Sequence, residues 1–123
     1  MRLFFASDKN KIDLLIRNKA RNILIAFPFK DSAIQKCKKN DISLFVDSGA
    51  YSISTGKKNF KHSQYIDFIK RVKPEMYASL DVIGNPVESK KNLLREIKEG
   101  LNPIPTFHQY EPLDLLDYYI DTF

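Results

Sequence analysis

Residues 42–52 read Ile42-Ser43-Leu44-Phe45-Val46-Asp47-Ser48-Gly49-Ala50-Tyr51-Ser52. A short apolar run stops abruptly at an acid, a hydroxyl and a glycine. A run of this length is too short for a helix and is bounded by turn-forming residues, so it reads as a strand. Four similar runs flank it: Leu3 to Ala6, Ile23 to Phe27, Tyr77 to Ile83 and Ile104 to Phe107. Between them lie helical patterns, which makes the chain a βα repeat.

The helices are marked by spacing and by caps. Ile12, Leu15, Ile16 and Ala20 fall three to four residues apart and predict a helix over Asp8 to Lys19. Asp31 to Lys39 is the second. Tyr65, Phe68, Ile69 and Val72 predict a third between Ser63 and Val72, with Ser63 as its cap and Pro74 beyond its end. In the fourth, Asn85 is placed to cap, Pro86 opens the first turn, Leu93, Leu94 and Ile97 form the apolar face, and Gly100 is the left-handed terminator. A fifth runs from about Pro112 through Leu113, Leu115, Leu116 and Ile120.

Runs such as Ile23 to Phe27, with little alternation, suggest parallel strands buried on both faces, and the fold class is α/β. Two architectures use five consecutive βα units. One is a five-stranded flavodoxin-like doubly wound sheet, which finishes near this length. The other is the first five or so units of a (β/α)8 barrel, which typically needs about 250 residues. The 123 residues make one α/β domain over 1–123 in either case.

Composition narrows the function classes. With 43% hydrophobic and 12% aromatic residues, and only 4 Gly and 6 Pro, the chain is neither disordered nor collagen-like. No apolar run approaches the roughly 18 residues of a membrane span, so no membrane partner is expected and the predicted location is cytoplasmic. The lone Cys37 reads as a buried or half-buried small side chain. The net charge of +5 includes lysine clusters at Lys36, Lys38 and Lys39, at Lys57, Lys58 and Lys61, and at Lys90 and Lys91. They permit a polyanionic partner.

In both architectures ligands sit at the carboxyl ends of the strands. Strand three ends in Asp47-Ser48-Gly49, and strand four carries Asp81 inside an otherwise apolar stretch. A buried unpaired carboxylate costs several kcal/mol, so Asp81 must be hydrogen-bonded, paired or facing a ligand. Strand five ends in Phe107-His108-Gln109, adding an imidazole and an amide at the same level. Two carboxylates with an amide or imidazole nearby suit a nitrogen heterocycle, on which Tyr51 or Phe107 could stack. An acid there is also suited to proton transfer. His62, just before a helix, reads as a solvent residue. No residue grouping has zinc spacing, and no phosphate loop or nucleophile elbow occurs, so no metal or cofactor is predicted.

Asp47-Ser48-Gly49-Ala50-Tyr51-Ser52, then Leu80-Asp81-Val82-Ile83-Gly84-Asn85-Pro86 with Asn92 further on, then Gly100-Leu101-Asn102-Pro103-Ile104-Pro105-Thr106-Phe107-His108, resemble the tRNA-guanine transglycosylase superfamily. The similarity is to its shorter phage and bacterial members, associated with 7-deazaguanine insertion into DNA, and covers roughly Leu44 to Glu111. It implies a (β/α)8 barrel that exchanges guanine in tRNA or DNA for a free 7-deazaguanine through a covalent sugar–aspartate intermediate. By this resemblance Asp47 is the acid implicated in proton transfer and Ser48 its neighbour in base recognition; Gly49, which lets backbone approach a ligand closely, and Tyr51 stand beside them as substrate-binding candidates. Asp81 recognises the base edge, and His108 or Gln109 occupies the place of a base-binding glutamine. The family's nucleophilic aspartate and zinc site belong to later βα units. The expectation is therefore the front part of a barrel, truncated and inactive in base exchange alone, completed by a second copy or another chain. Two other readings stand beside it. One is a response-regulator-like signalling domain with Asp47 as phosphoacceptor, although no Lys follows strand five. The other is a non-catalytic nucleic-acid-binding module that uses the lysine clusters.

Overall fold

The computed structural model describes residues 1–123 and is a mixed α/β fold built on a four-stranded parallel sheet. Its elements are β1 (Phe5–Ala6), α1 (Ile12–Arg17), β2 (Asn22–Ala26), α2 (Asp31–Lys39), β3 (Ser43–Asp47), α3 (Ala50–Ser54), α4 (His62–Val72), β4 (Met76–Tyr77), α5 (Pro86–Lys98) and α6 (Leu113–Thr122). The strands lie side by side in chain order, β1-β2-β3-β4, with no reversal. β2 and β3 pair along their whole length, from Asn22 against Ser43 to Ala26 against Asp47.

Only one face of the sheet is covered. Ile23 and Ile25 of β2 and Leu44 and Val46 of β3 point into a core with Ile12 of α1, Ile34 and Cys37 of α2, and Tyr65, Phe68, Ile69 and Val72 of α4. The alternate residues Leu24, Ala26, Phe45 and Asp47 are half-buried. The strands are thus two-faced, not buried on both sides as their composition suggested. Along the uncovered face the residues fall into layers. At the amino end the Arg2 guanidinium bonds Asn22, Ser43 and Glu75, tying the bottoms of the strands together. Above it Phe4 meets Phe45 edge-on, with ring centroids 5.7 Å apart. Asp47 tops the face at the carboxyl end.

The α1 and α4 apolar positions face the core as their spacing predicts, and Ala33, Ile34 and Cys37 of α2 join them. α1 is shorter than expected because Asp8 accepts a hydrogen bond from Asn10 N and forms a turn first. α4 begins at His62 instead of at a Ser63 cap, and the Gln64 side chain accepts from Lys61 N. α5 starts as read: Asn85 Oδ1 accepts from Glu88 N, and Gly100 follows the end at φ +84°. The five-residue α3 was not foreseen. The peptide between Phe27 and Pro28 is cis. No helix is long and apolar enough to cross a membrane.

The fourth and fifth strands are shorter than predicted. β4 stops at Tyr77, and beyond it the chain leaves the sheet. The expected strand Ile104 to Phe107 reduces to a single bridge between Ala78 and Ile104. Pro103 and Pro105 flank that bridge, and neither has an N–H to extend a ladder.

Candidate functional site

Three segments far apart in sequence meet at the carboxyl end of the sheet. Asp47 is the last residue of β3, on the uncovered face. The chain then turns sharply through Gly49, whose φ of +78° disfavours any side chain. A Cβ at Gly49 would lie 2.1 Å from the Phe27 carbonyl oxygen, so β2 and this turn touch backbone to backbone. Ser48, just before this turn, is completely buried.

Asp81 is the centre of the cluster. It is only 6% exposed. Ser48 Oγ donates to its Oδ1 at 2.8 Å, and His108 Nε2 lies 2.6 Å from its Oδ2. With Asp81 ionised, Nε2 carries the proton and donates. The backbone of His108 is held in turn by Glu111, whose Oε2 accepts from His108 N at 3.0 Å. Asp81 is thus joined to Ser48, the residue after Asp47, and has the hydrogen bonds its burial demands. The serine hydroxyl bonds the acid and not the imidazole. The order of a nucleophilic Ser-His-Asp triad is thus absent.

Burial raises the Asp47 carboxyl above the usual aspartate range, and the neighbouring charge of Asp81 raises it further. Backbone N–H groups of Gly49 and Ser48 pull the other way. Two neighbouring carboxyls, one of them with its pKa raised by burial and by the other's charge, are a recurring acid–base arrangement.

The remaining residues divide. His108, and not Gln109, joins the cluster; Gln109 is exposed and its side chain makes no hydrogen bond within the chain. Tyr51 is 67% exposed on α3 and contributes none of the cluster's hydrogen bonds. Phe107 lines a cavity of about 530 Å³ with Ile104, Leu116, Tyr119 and Ile120. His62 is not a solvent residue. Its side chain is 10% exposed and Nε2 sits 2.8 Å from Oε1 of the fully buried Glu96.

Glu96, its pairing with His62, and Glu111 escaped the sequence. Glu96 lies between Leu93 and Ile97, where helical periodicity put an apolar face. The buried face of α5 is instead Ser89, Leu93 and Glu96, with Leu94 and Ile97 exposed. The only sequence signal for Glu111 is its place three residues after His108.

The same rim holds a polar cavity of about 490 Å³ between the ends of β1 and β2, lined by Ser7, Asp8, Lys9, Asn10, Lys30 and Lys58 among others. None of these three lysines is ion-paired with a carboxylate, whereas Lys36, Lys70 and Lys91 are. Ala26, which borders the cavity, is the register partner of Asp47. Comparison with protein-family models, with curated proteins and with solved structures yields no match to the chain.

Proposed function

We propose that the carboxyl rim of the sheet is the base-recognition part of a transglycosylase-type site, taking guanine or a 7-deazaguanine as a flat, nitrogen-rich ring. The convergence of Ser48 and His108 on Asp81, beside Asp47, carries this reading. Each Asp81 oxygen keeps a second lone pair after accepting its present bond, enough to accept from a ring N–H or an exocyclic amine. Asp47, with its raised pKa, is the group for proton transfer. Exchange of the glycosidic bond also requires a nucleophilic carboxylate, which this reading assigns to further βα units in the same or another chain.

Sequential strand order and helices on one face support a barrel arc over the flavodoxin-like alternative. A doubly wound sheet has helices on both faces and reverses its strand order near the middle. The same feature argues against the response-regulator reading. The lysine-lined cavity supports a nucleic-acid partner. It lies one to two strands from Asp47, or about 5–10 Å at normal strand spacing, a span that suits a backbone phosphate next to a base.

Calorimetric titration with guanine and with 7-deazaguanine tests the base site. Binding is expected for the wild type and a loss of about tenfold or more for Asp81→Asn, which turns one acceptor oxygen into a donor. Equal affinity in wild type and Asp81→Asn, or no binding by either, rejects base recognition. Oligonucleotide binding without base binding would leave the non-catalytic nucleic-acid-binding reading in its stead.

A further inference from the structure

Glu96 is a fully buried acid that the proposed base site does not use. Its Oε1 accepts from Leu80 N at 2.9 Å and faces His62 Nε2 at 2.8 Å. Its Oε2 has no hydrogen-bond partner, and neither does His62 Nδ1. A buried polar atom left unpaired is destabilising, because it has given up its bond to water and gained none. A leucine at this position would avoid that cost and extend the apolar contact of Leu93. Packing by itself therefore does not explain the acid.

The backbone that Glu96 touches suggests its role. The parallel ladder ends with Ala78 N donating to Val46 O and Ser79 N donating to Ile104 O. Past that point the peptides around Asp81 have no strand to pair with, and α5 supplies the partners. Glu96 accepts from Leu80 N, and Asn92 Nδ2 donates to Leu80 O at 3.0 Å. Ser89 Oγ accepts from Val82 N at 2.8 Å. Ser89, Asn92 and Glu96 are spaced three and four apart, so they share one face of the helix. Asp81 lies between two peptides held from the same side, while its carboxylate is directed at Ser48 and His108.

We propose that Ser89, Asn92 and Glu96 are positioning residues for Asp81. In this proposal the His62–Glu96 pair fixes the height and direction of the Leu80–Asp81 backbone that strand pairing would otherwise set. The helix contributes side-chain hydrogen bonds where the sheet has ended, and rotating it by one residue, about 100°, would misdirect the acid. The proposal rests on the proposed base site only for its ligand readout; the Asp81–His108 contact provides a second readout that is independent of any ligand.

The test uses the full chain with Glu96→Leu, Glu96→Gln and the milder Asn92→Ala. Each is measured at a temperature well below its own unfolding midpoint, by the ring nitrogen signals of His108 in NMR at fixed pH and by affinity for 7-deazaguanine. Glu96→Leu and Asn92→Ala are expected to move the His108 signals, although neither residue touches His108. Glu96→Leu is expected to weaken binding by about tenfold, the usual scale for loss of an orienting partner. Glu96→Gln keeps an acceptor for Leu80 N and is expected to stay within about twofold. A lowered melting temperature with unmoved His108 signals in the folded variants overturns the proposal, and Asn92→Ala decides it if Glu96→Leu does not fold. If wild type binds no 7-deazaguanine, the proposed function fails while the His108 signals still decide the positioning role.

Discussion

Asp47 is a carboxylate held at a cost. Burial and the charge of Asp81 raise its pKa above the ordinary value. The native protein therefore keeps the Asp47 proton to a higher pH than the unfolded chain does. Between the two values the native state binds more protons, so this residue's contribution to stability falls as pH rises through that window. Above the window it remains a constant penalty. Asp47→Asn is expected to melt at a higher temperature than wild type at neutral pH, with the gap closing as pH falls through the usual aspartate range. Thermal melts followed by circular dichroism across that range check the sign. A variant no more stable at neutral pH would mean that Asp47 is not desolvated. Gly49 is the complementary case, a residue retained for lack of a side chain. With φ at +78° and Phe27 O only 2.1 Å from a built Cβ, Gly49→Ala must shift either the β2 end or the Asp47–Ser48 turn. A loss on the order of 3 kcal/mol is expected in urea unfolding, from strain and overpacking together.

Among the elements, α5 shows how much of the fold is local. Its start is a side-chain cap plus proline and its stop a left-handed glycine, and all three are where the sequence put them. Asn85→Ala should cost about 1 kcal/mol by loss of the Glu88 N–H bond, readable in the same unfolding assay. The rotation of the helix about its axis was not legible. Leu93, Leu94 and Ile97 predict an apolar face, yet Leu94 and Ile97 are exposed and Ser89 and Glu96 are inside. Those polar groups face inward because residues 80–82 present unpaired backbone groups there, a demand set by where β4 ends. The length of β4 and of the expected fifth strand depends similarly on their neighbours: Pro103 and Pro105 limit what the Ile104 segment can pair, and α5 takes over the rest.

At the scale of the whole molecule, the sheet has one helix-covered face and one uncovered face whose carboxyl rim gathers the acids, the imidazole and the lysine-lined cavity. Lys9, Lys30 and Lys58 come from three separate segments, so the lysine clusters of the sequence did not mark this site; only Lys58 belongs to one of them. If a polynucleotide backbone lies there, changing all three to Gln should weaken single-strand binding and reduce the slope of log affinity against log salt by about 2, at roughly 0.7 per phosphate contact. Fluorescence anisotropy with a labelled oligonucleotide over a salt series measures it. An unchanged slope would remove the phosphate role from this cavity and leave the base site to be judged by its own titration.

The sequence alone determined the βα rhythm, the helix limits at Asp31–Lys39 and Pro86–Lys98 to within a residue or two, and the position of Asp47 at a strand end, because periodicity, caps and turn residues act between near neighbours in the chain. Tertiary structure alone decided that His108 and not Gln109 meets Asp81, that the Ser48 hydroxyl is spent on that acid, and that His62 and Glu96 are inside. A polar side chain can be buried only where another segment brings it a partner. Here the partners are 27 residues away for His108 and Asp81, 33 for Ser48 and Asp81, and 34 for His62 and Glu96. Nothing in the residues adjacent to any one of them records that distance.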